Sequence, residues 1–181
     1  ADHEPAFPGP YIVKPRYGGS SIGIEITEDV ATARAVARSS VHLRGGAVLE
    51  PYRRDLVDLN IAFRTYPTLQ LSDIERPLRS ADGGVYSYAD KYLEGGAGED
   101  AGMASAPREL PARVPDDVAG RVREYALRVA AVTRVTGAPR LDFLYDESNG
   151  DVYVNEINTV PGAMGLYLWA ATTPAAQVLR D

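Results

Sequence analysis

The sequence predicts an α+β fold in two lobes, on three observations. Short apolar or alternating runs recur from one end of the chain to the other, and several are joined in pairs by glycine-rich or Asn/Asp-rich turns. Only two internal stretches carry an extended helical period. With 181 residues the chain is long enough to bury a real core, as one compact domain or two small lobes.

The elements follow in order. "PYIVKP" reads as a buried strand from Tyr11 to Lys14, closed by Pro15. It leads through "RYGGSSIG" into "IEIT", so the pair forms a hairpin with a glycine- and serine-rich tip. "TEDVATARAVARSS" is a helix with Thr27 as N-cap, acidic residues in its first turn, and Val30, Ala33 and Val36 or Ala37 on its apolar face. "GGAVLEPY" is a short strand ending at Glu50, and "LVDLNIAFR" alternates as the next. The region from Leu93 to Pro107 is rich in Gly, Ala and Asp and longer than ordinary connections, which favours a functional segment. "PDDVAGRVREYALRVAAVTRVTG" is the longest helix, from Pro115 to Gly137, with Val118, Val122, Tyr125, Val129 and Val132 inward. "PRLDFLYDESNGDVYVNEINT" is two strands joined at "DESNGD", and the apolar tail "GLYLWAATTPAAQVLRD" is partly helical. A smaller lobe of residues 1–54 and a larger one of residues 55–181 are expected.

Composition narrows the chemistry. A formal charge of −6 argues against a surface that tracks nucleic-acid phosphates. With zero cysteines there are no disulfides, no thiol chemistry and none of the usual zinc sets, so any metal is a hard ion held by oxygen. No apolar run approaches ~20 residues, and the first residues carry no signal-peptide pattern, so the expectation is a soluble cytoplasmic protein with no membrane association. The early core strand suggests a fragment of a longer chain. Arginine serves nearly every cationic position, and the two lysines, Lys14 and Lys91, stand out as compact ammonium groups suited to phosphate.

Strand alternation places Val154, Glu156 and Asn158 on one face, and Arg140, Asp142 and Leu144 on one face of the preceding strand. An antiparallel pair then brings Asp142 to Glu156 and Asn158. Two carboxylates and an amide suit Mg²⁺, although a solvated hairpin face carries acids too. Arg140 adds a fixed cation beside a metal-held phosphate. "GGSSIG", Gly18 to Gly23, is a second candidate phosphate cradle, in which Ser20 and Ser21 offer hydroxyl and N–H donors. It lacks the P-loop lysine, and no G-x-G-x-x-G follows a strand.

Taken together, "VKPRYGGSSIG", "VLEPY" followed by Asp58, "YSYADKY", "RLDF" and "VNEINTVPG" resemble, in order and approximate spacing, the ATP-grasp ligases, and most closely the D-alanine–D-alanine ligase branch. The resemblance covers about Tyr11 to Gly162. It implies two α+β lobes with the nucleotide site between them, and ATP and Mg²⁺ (or Mn²⁺) as cofactors. Lys14, Lys91 and Ser21 would then contact ATP phosphates, Glu50 with the Pro51 and Tyr52 backbone the adenine, and Asp58 the ribose. Asp142, Glu156 and Asn158 would hold two Mg²⁺ ions, Arg140 and the Gly162 N–H the oxyanion, and Ser20 and Tyr92 would link two loops over the first substrate. Residues 93–107 would form a lid.

The reaction implied joins a small carboxylate to an amine, such as an amino acid, through an acyl phosphate, with ADP released. A missing N-terminal domain is implied, and a homodimer is compatible with the family. One departure stands out. After "NTVPG" the ligases place a serine that receives the second amino acid's carboxylate, and this chain has Tyr167 near that position, followed by Leu168 and Trp169. An altered second substrate is therefore expected; packing of the tail by Leu166, Tyr167 and Trp169 is the plainer alternative. Two other functions remain open: a non-catalytic nucleotide-binding regulatory or scaffolding module, and a kinase acting on a stable acceptor.

Overall fold

The structure is a computed structural model that describes residues 4–19, 21–78 and 107–180. Among these the chain divides into two compact units, one of residues up to Arg54 and the other from Asp55 onward.

The first unit is a three-stranded antiparallel sheet backed by a helix. β1 (Tyr11–Pro15) lies between β2 (Glu25–Thr27) and β3 (Ala47–Pro51). α1 (Val30–Ser39) buries Ala33 against Val13 and Leu43, with Val36, Ala37 and Leu49 packed around them. Its start differs from the sequence expectation. Asp29, not Thr27, is the N-cap, accepting from the Thr32 N–H at 2.8 Å, and no acid occupies the first turn. Thr27 is instead the last residue of β2 and 5% exposed, so its side chain is turned inward rather than toward the helix start. The Asp29 carboxyl is held below the usual range by the backbone and hydroxyl bonds from Thr32.

The second unit carries a four-stranded antiparallel sheet, in the order β5 (Gln70–Leu71), β4 (Leu56–Arg64), β8 (Arg140–Asp146), β9 (Val152–Asn158). A two-stranded ribbon of β6 (Arg76–Pro77) and β7 (Arg108–Glu109) joins it through the bridge between Glu75 and Asn60. One face of the sheet supplies Leu59, Ile61, Phe63, Leu141, Phe143, Tyr145 and Val152 to the core; α2 (Asp116–Thr133) covers it with Val118, Val122, Ala126 and Ala130. Tyr125 and Val129 pack at the margin, but Val132 is 83% exposed. Four inward residues at intervals of four define the stripe, and the small alanines at its C-terminal half let the helix approach the sheet closely. The helix ends at Thr133, four residues short of the expected Gly137, capped by Arg134 in the left-handed region with its N–H on the Ala130 carbonyl.

Because hydrophobic faces of β4 and β8 alternate with polar ones, every core residue directed at α2 leaves a neighbour on the other face. Those neighbours are Asp58, Asn60 and Ala62 on β4, and Leu144, Asp142 and Arg140 directly across on β8. The core thus fixes the functional side of the sheet. Phe143 is fully buried, so Phe143→Ala is expected to lower the unfolding free energy by about 3–5 kcal/mol in urea titration. Val132→Ala, on the exposed end of α2, should change it by less than about 0.5 kcal/mol.

Candidate functional site

The polar face of β8 and β9 brings together four of the residues singled out in the sequence. Register places Arg140 opposite Asn158 and Asp142 opposite Glu156. Asn158 Nδ2 donates to Asp142 Oδ2 at 2.9 Å and to Glu156 Oε1 at 3.3 Å, so both carboxylates converge on one amide. The alternation expected for β9 is broken, however. Between the pairs Asp142 with Glu156 and Phe143 with Val154, β9 spends one residue more than β8, a bulge that absorbs Asn155. Val154 therefore faces with Phe143, opposite to Glu156, and does not share the face of Glu156 and Asn158. The bulge re-aims Glu156 toward Asp142 while the core pairing of Tyr145 with Val152 is kept.

Arg140 is 6% exposed and makes a two-pronged contact with Asp142, Nε to Oδ1 at 2.6 Å and Nη2 to Oδ2 at 2.8 Å. Burial pulls its pKa down, but the hydrogen bond and charge of Asp142, with Tyr167 adding to them, raise it well above the ordinary arginine value. The guanidinium is a permanent cation in this site.

Tyr167 extends the network. Its hydroxyl bonds to Arg140 and donates to Glu75 Oε2 at 3.2 Å. Glu75 is 3% exposed, and its carboxylate also accepts from Asn60 Nδ2 at 3.0 Å and from Arg108 Nη1 at 2.8 Å. The Arg108 guanidinium lies over the Tyr167 ring, 4.1 Å from its centroid. Burial and the Glu75 charge push the Tyr167 phenol up to about 12, against the opposing pull of Arg140 and Arg108. Seven side chains, Arg108, Glu75, Asn60, Tyr167, Arg140, Asp142 and Asn158, are thereby tied into one polar cluster, with Glu156 at its exposed end.

Asn60, Glu75 and Arg108 were not singled out in the sequence. A polar residue inside the apolar run "DLNIAF" was a usable signal for Asn60. Glu75 and Arg108 sit next to or in two-residue strands and carry no local mark.

Tyr167 is delivered by the 3₁₀ segment Gly162–Trp169, in which Ala163, Met164 and Gly165 take left-handed φ of 50°, 52° and 62°. The turn sends Leu168 and Trp169 into a small cluster with Ala62. Gly162 opens this segment, where a backbone N–H has no preceding turn to supply an acceptor.

In the first unit, Lys14 Nζ donates to Glu50 Oε2 at 2.6 Å across β1 and β3. The Tyr52 N–H is bonded to the Pro10 carbonyl at 2.8 Å, and Pro51 has no N–H, so only carbonyl oxygens of that stretch are acceptors for an adenine amino group. Ser21, at φ 59°, lies in the turn after Gly19. Asp58 belongs to the second unit, on β4 opposite Leu144. Ser20, Lys91, Tyr92 and all but the last residue of the expected lid fall outside the described residues.

The donor set fits a hard divalent cation. Among the described residues there is no cluster of three His, Cys, Asp or Glu, so an ion here would rest on two carboxylates and an amide. The Asn158 amide nitrogen stands where both carboxylates point, and rotating that amide presents its oxygen to the same place.

The chain is similar to known proteins. The family model for the D-ala D-ala ligase C-terminus matches residues 2–176. The chain belongs to that family. The D-alanine–D-alanine ligase of Synechococcus sp. is 34% identical over 174 residues, 90% of this chain and 44% of that protein. The one from Deinococcus radiodurans is 32% identical over 158 residues, 84% of this chain and 42% of that protein. This chain of the family thus spans less than half the length of these relatives. Among solved structures, D-alanyl-alanine synthetase A from Vibrio cholerae aligns with a TM-score of 0.75 at 20% identity, covering 94% of this chain and 50% of that one. VanG D-Ala:D-Ser ligase from Enterococcus faecalis aligns at 0.73 and 20%, covering 97% and 49%. The fold is ATP-grasp, of the α+β class. No helix among the described residues is long and apolar enough to cross a membrane.

Two outcomes follow from this cluster. Asp142→Asn removes the anion that Arg140 is paired with and leaves a buried guanidinium without its counter-charge, which should cost about 3–5 kcal/mol of stability in denaturant titration. The raised Tyr167 pKa means its contribution to stability is intact below about 10 and is lost as pH rises toward about 12. Comparing wild type with Tyr167→Phe across that window should show the loss in the wild type alone, after the shared tyrosine background is subtracted.

Proposed function

We propose that this chain is the nucleotide- and metal-binding part of an ATP-dependent carboxylate–amine ligase, forming an amide or peptide bond in the cytoplasm. The observation that carries the reading is the convergence of Asp142, Glu156 and Asn158 beside a buried, permanently charged Arg140.

A carboxylate oxygen of the first substrate attacks the terminal phosphorus of ATP, and ADP departs. An amine then attacks the acyl carbon, the new C–N bond forms, phosphate leaves and the amine loses a proton. Each step is a displacement in which charge moves between oxygens, so fixed cations supply most of the help. Lys14 and Lys91 neutralise phosphate charge, with Ser21 donating nearby, and Arg140 with the Gly162 N–H receives the oxyanion. Asp142, Glu156 and Asn158 would hold Mg²⁺, or Mn²⁺ in its place, which when bound would supply charge screening for the nucleotide phosphates. Glu50 and the Pro51 and Tyr52 carbonyls face adenine, and Asp58 the ribose. Ser20 and Tyr92 position the first substrate, and residues 93–107 exclude water from the acyl phosphate.

The missing half of the reaction machinery is assigned to an N-terminal domain of the full protein, and a homodimer is its proposed assembly. The substrates are a small carboxylate and an amine, with the second altered from that of the D-alanine ligases because Tyr167 stands in its path.

The test is ADP release by the full-length protein across a panel of carboxylates and amines, with calorimetric titration of ATP and Mg²⁺ alongside. ADP formation should require Mg²⁺ and both organic substrates, and Glu156→Ala should reduce it by about 100-fold or more. AMP as product, or turnover indifferent to Glu156→Ala, would overturn the reading. Binding of Mg²⁺ and ATP with no ADP under any pair would favour a regulatory nucleotide-binding module instead, and a product resistant to hydroxylamine would favour a kinase.

A further inference from the structure

We infer that Tyr167, locked by Glu75 and Arg108, is the specificity-determining residue for the amine, and that it selects a primary amine whose amine-bearing carbon carries no free carboxylate. This rests on the ligase reading above. The argument is an account of donors. A carboxylate entering beside Arg140 must find hydrogen-bond donors or a positive field there.

The Tyr167 hydroxyl has one proton, and it is spent on Glu75 Oε2 at 3.2 Å. Its oxygen faces Arg140, so what the phenol offers that guanidinium is an acceptor. Arg140 has committed Nε and Nη2 to the two oxygens of Asp142, at 2.6 and 2.8 Å. Arg108 lies over the face of the Tyr167 ring and gives Nη1 to Glu75 at 2.8 Å, so its charge is matched by a buried carboxylate. Arg108 is matched by Glu75 and Arg140 by Asp142, so neither guanidinium brings an unmatched positive charge to the phenol. A second carboxylate entering here gains no surplus cation.

The lock also makes the tyrosine difficult to move. Glu75 is 3% exposed with three donors on it, and releasing the phenol would take one of them from a buried charge. Beside the phenol, Leu168 and Trp169 are buried, so the ring cannot retreat into a void on that side. The ring therefore stands as a fixed apolar wall with a saturated hydroxyl. An acceptor with a neutral or apolar group next to its amine meets that wall without an unpaired charge; an α-amino acid does not.

The experiment uses matched acceptors differing only in this group: alanine and alaninamide, each as both enantiomers, with the full-length protein, ATP, Mg²⁺ and the carboxylate panel. Hydroxylamine serves as a general trap that reports acyl phosphate formation without an acceptor site. Wild type should form hydroxamate and should prefer alaninamide over alanine by at least about tenfold in kcat/KM. Tyr167→Ser, which removes the wall and supplies a small donor, should shift that ratio toward alanine. Tyr167→Phe, which keeps the wall and has no donor, should retain it. Hydroxamate formation with alanine used as well as alaninamide, or a ratio unmoved by Tyr167→Ser, overturns this inference while leaving the ligase reading standing. Absence of hydroxamate with every carboxylate overturns both.

Discussion

The contact on which the second unit's functional face depends is the two-pronged pair between Arg140 and Asp142, adjacent alternating residues of one strand. A guanidinium at 6% exposure is tolerable only with a partner held at hydrogen-bond distance, and a carboxylate at the same place needs the cation equally. Neither residue is there to stabilise the fold, since an apolar pair on the same strand would pack without the desolvation cost. The pair instead holds a charged group rigid and dry, as electrostatic preorganisation requires, and in the proposed ligase that group would receive the developing oxyanion. Tyr167 bonds to its guanidinium and Asn158 to its carboxylate, and Asn60 stands across from Asp142 on β4.

How this face is built explains why much of it was legible. The β8–β9 hairpin was readable because a period-two pattern on both sides of "DESNGD" leaves one register compatible with burying Leu141, Phe143 and Tyr145. That register, shifted by one residue at the bulge, brings Asp142 to Glu156. The bulge at Asn155 was not readable: one additional residue changes the aim of Val154 and leaves no trace in local composition. In α2 the valines drew attention, whereas the inward stripe in its later turns is made of Ala126 and Ala130, selected by the closeness of helix and sheet rather than by hydrophobicity. Val132 follows the apolar pattern but lies beyond the sheet it was expected to meet.

The second set of polar residues escaped sequence reading for a different reason. Glu75 reaches Arg108 across 33 positions and Tyr167 across 92, through a two-stranded ribbon and a 3₁₀ segment whose strands are two residues each. No helical or strand period links residues so placed. The tertiary bridge of Glu75 with Asn60, its two backbone bonds both 2.8 Å, brings Glu75 to the sheet, and the packing of Leu168 and Trp169 on Ala62 brings Tyr167. Tyr167 could be flagged as an unusual residue; its locked hydroxyl could not.

The segment that carries Tyr167 shows where the backbone bears the cost of this arrangement. Three successive residues, Ala163, Met164 and Gly165, are left-handed, and only the last is a glycine. For alanine and methionine that conformation is unfavourable by roughly 1–2 kcal/mol each. The compensation lies downstream, in the burial of Leu168 and Trp169 against Ala62 and in the bond from Tyr167 to Glu75. A right-handed course from Gly162 would avoid the strain but would redirect both the Gly162 amide and the tyrosine. The strain therefore belongs to positioning. It sits between the Gly162 amide and Tyr167, the two groups that the proposed reaction would use beside Arg140, and the buried anchors on its far side keep it from relaxing.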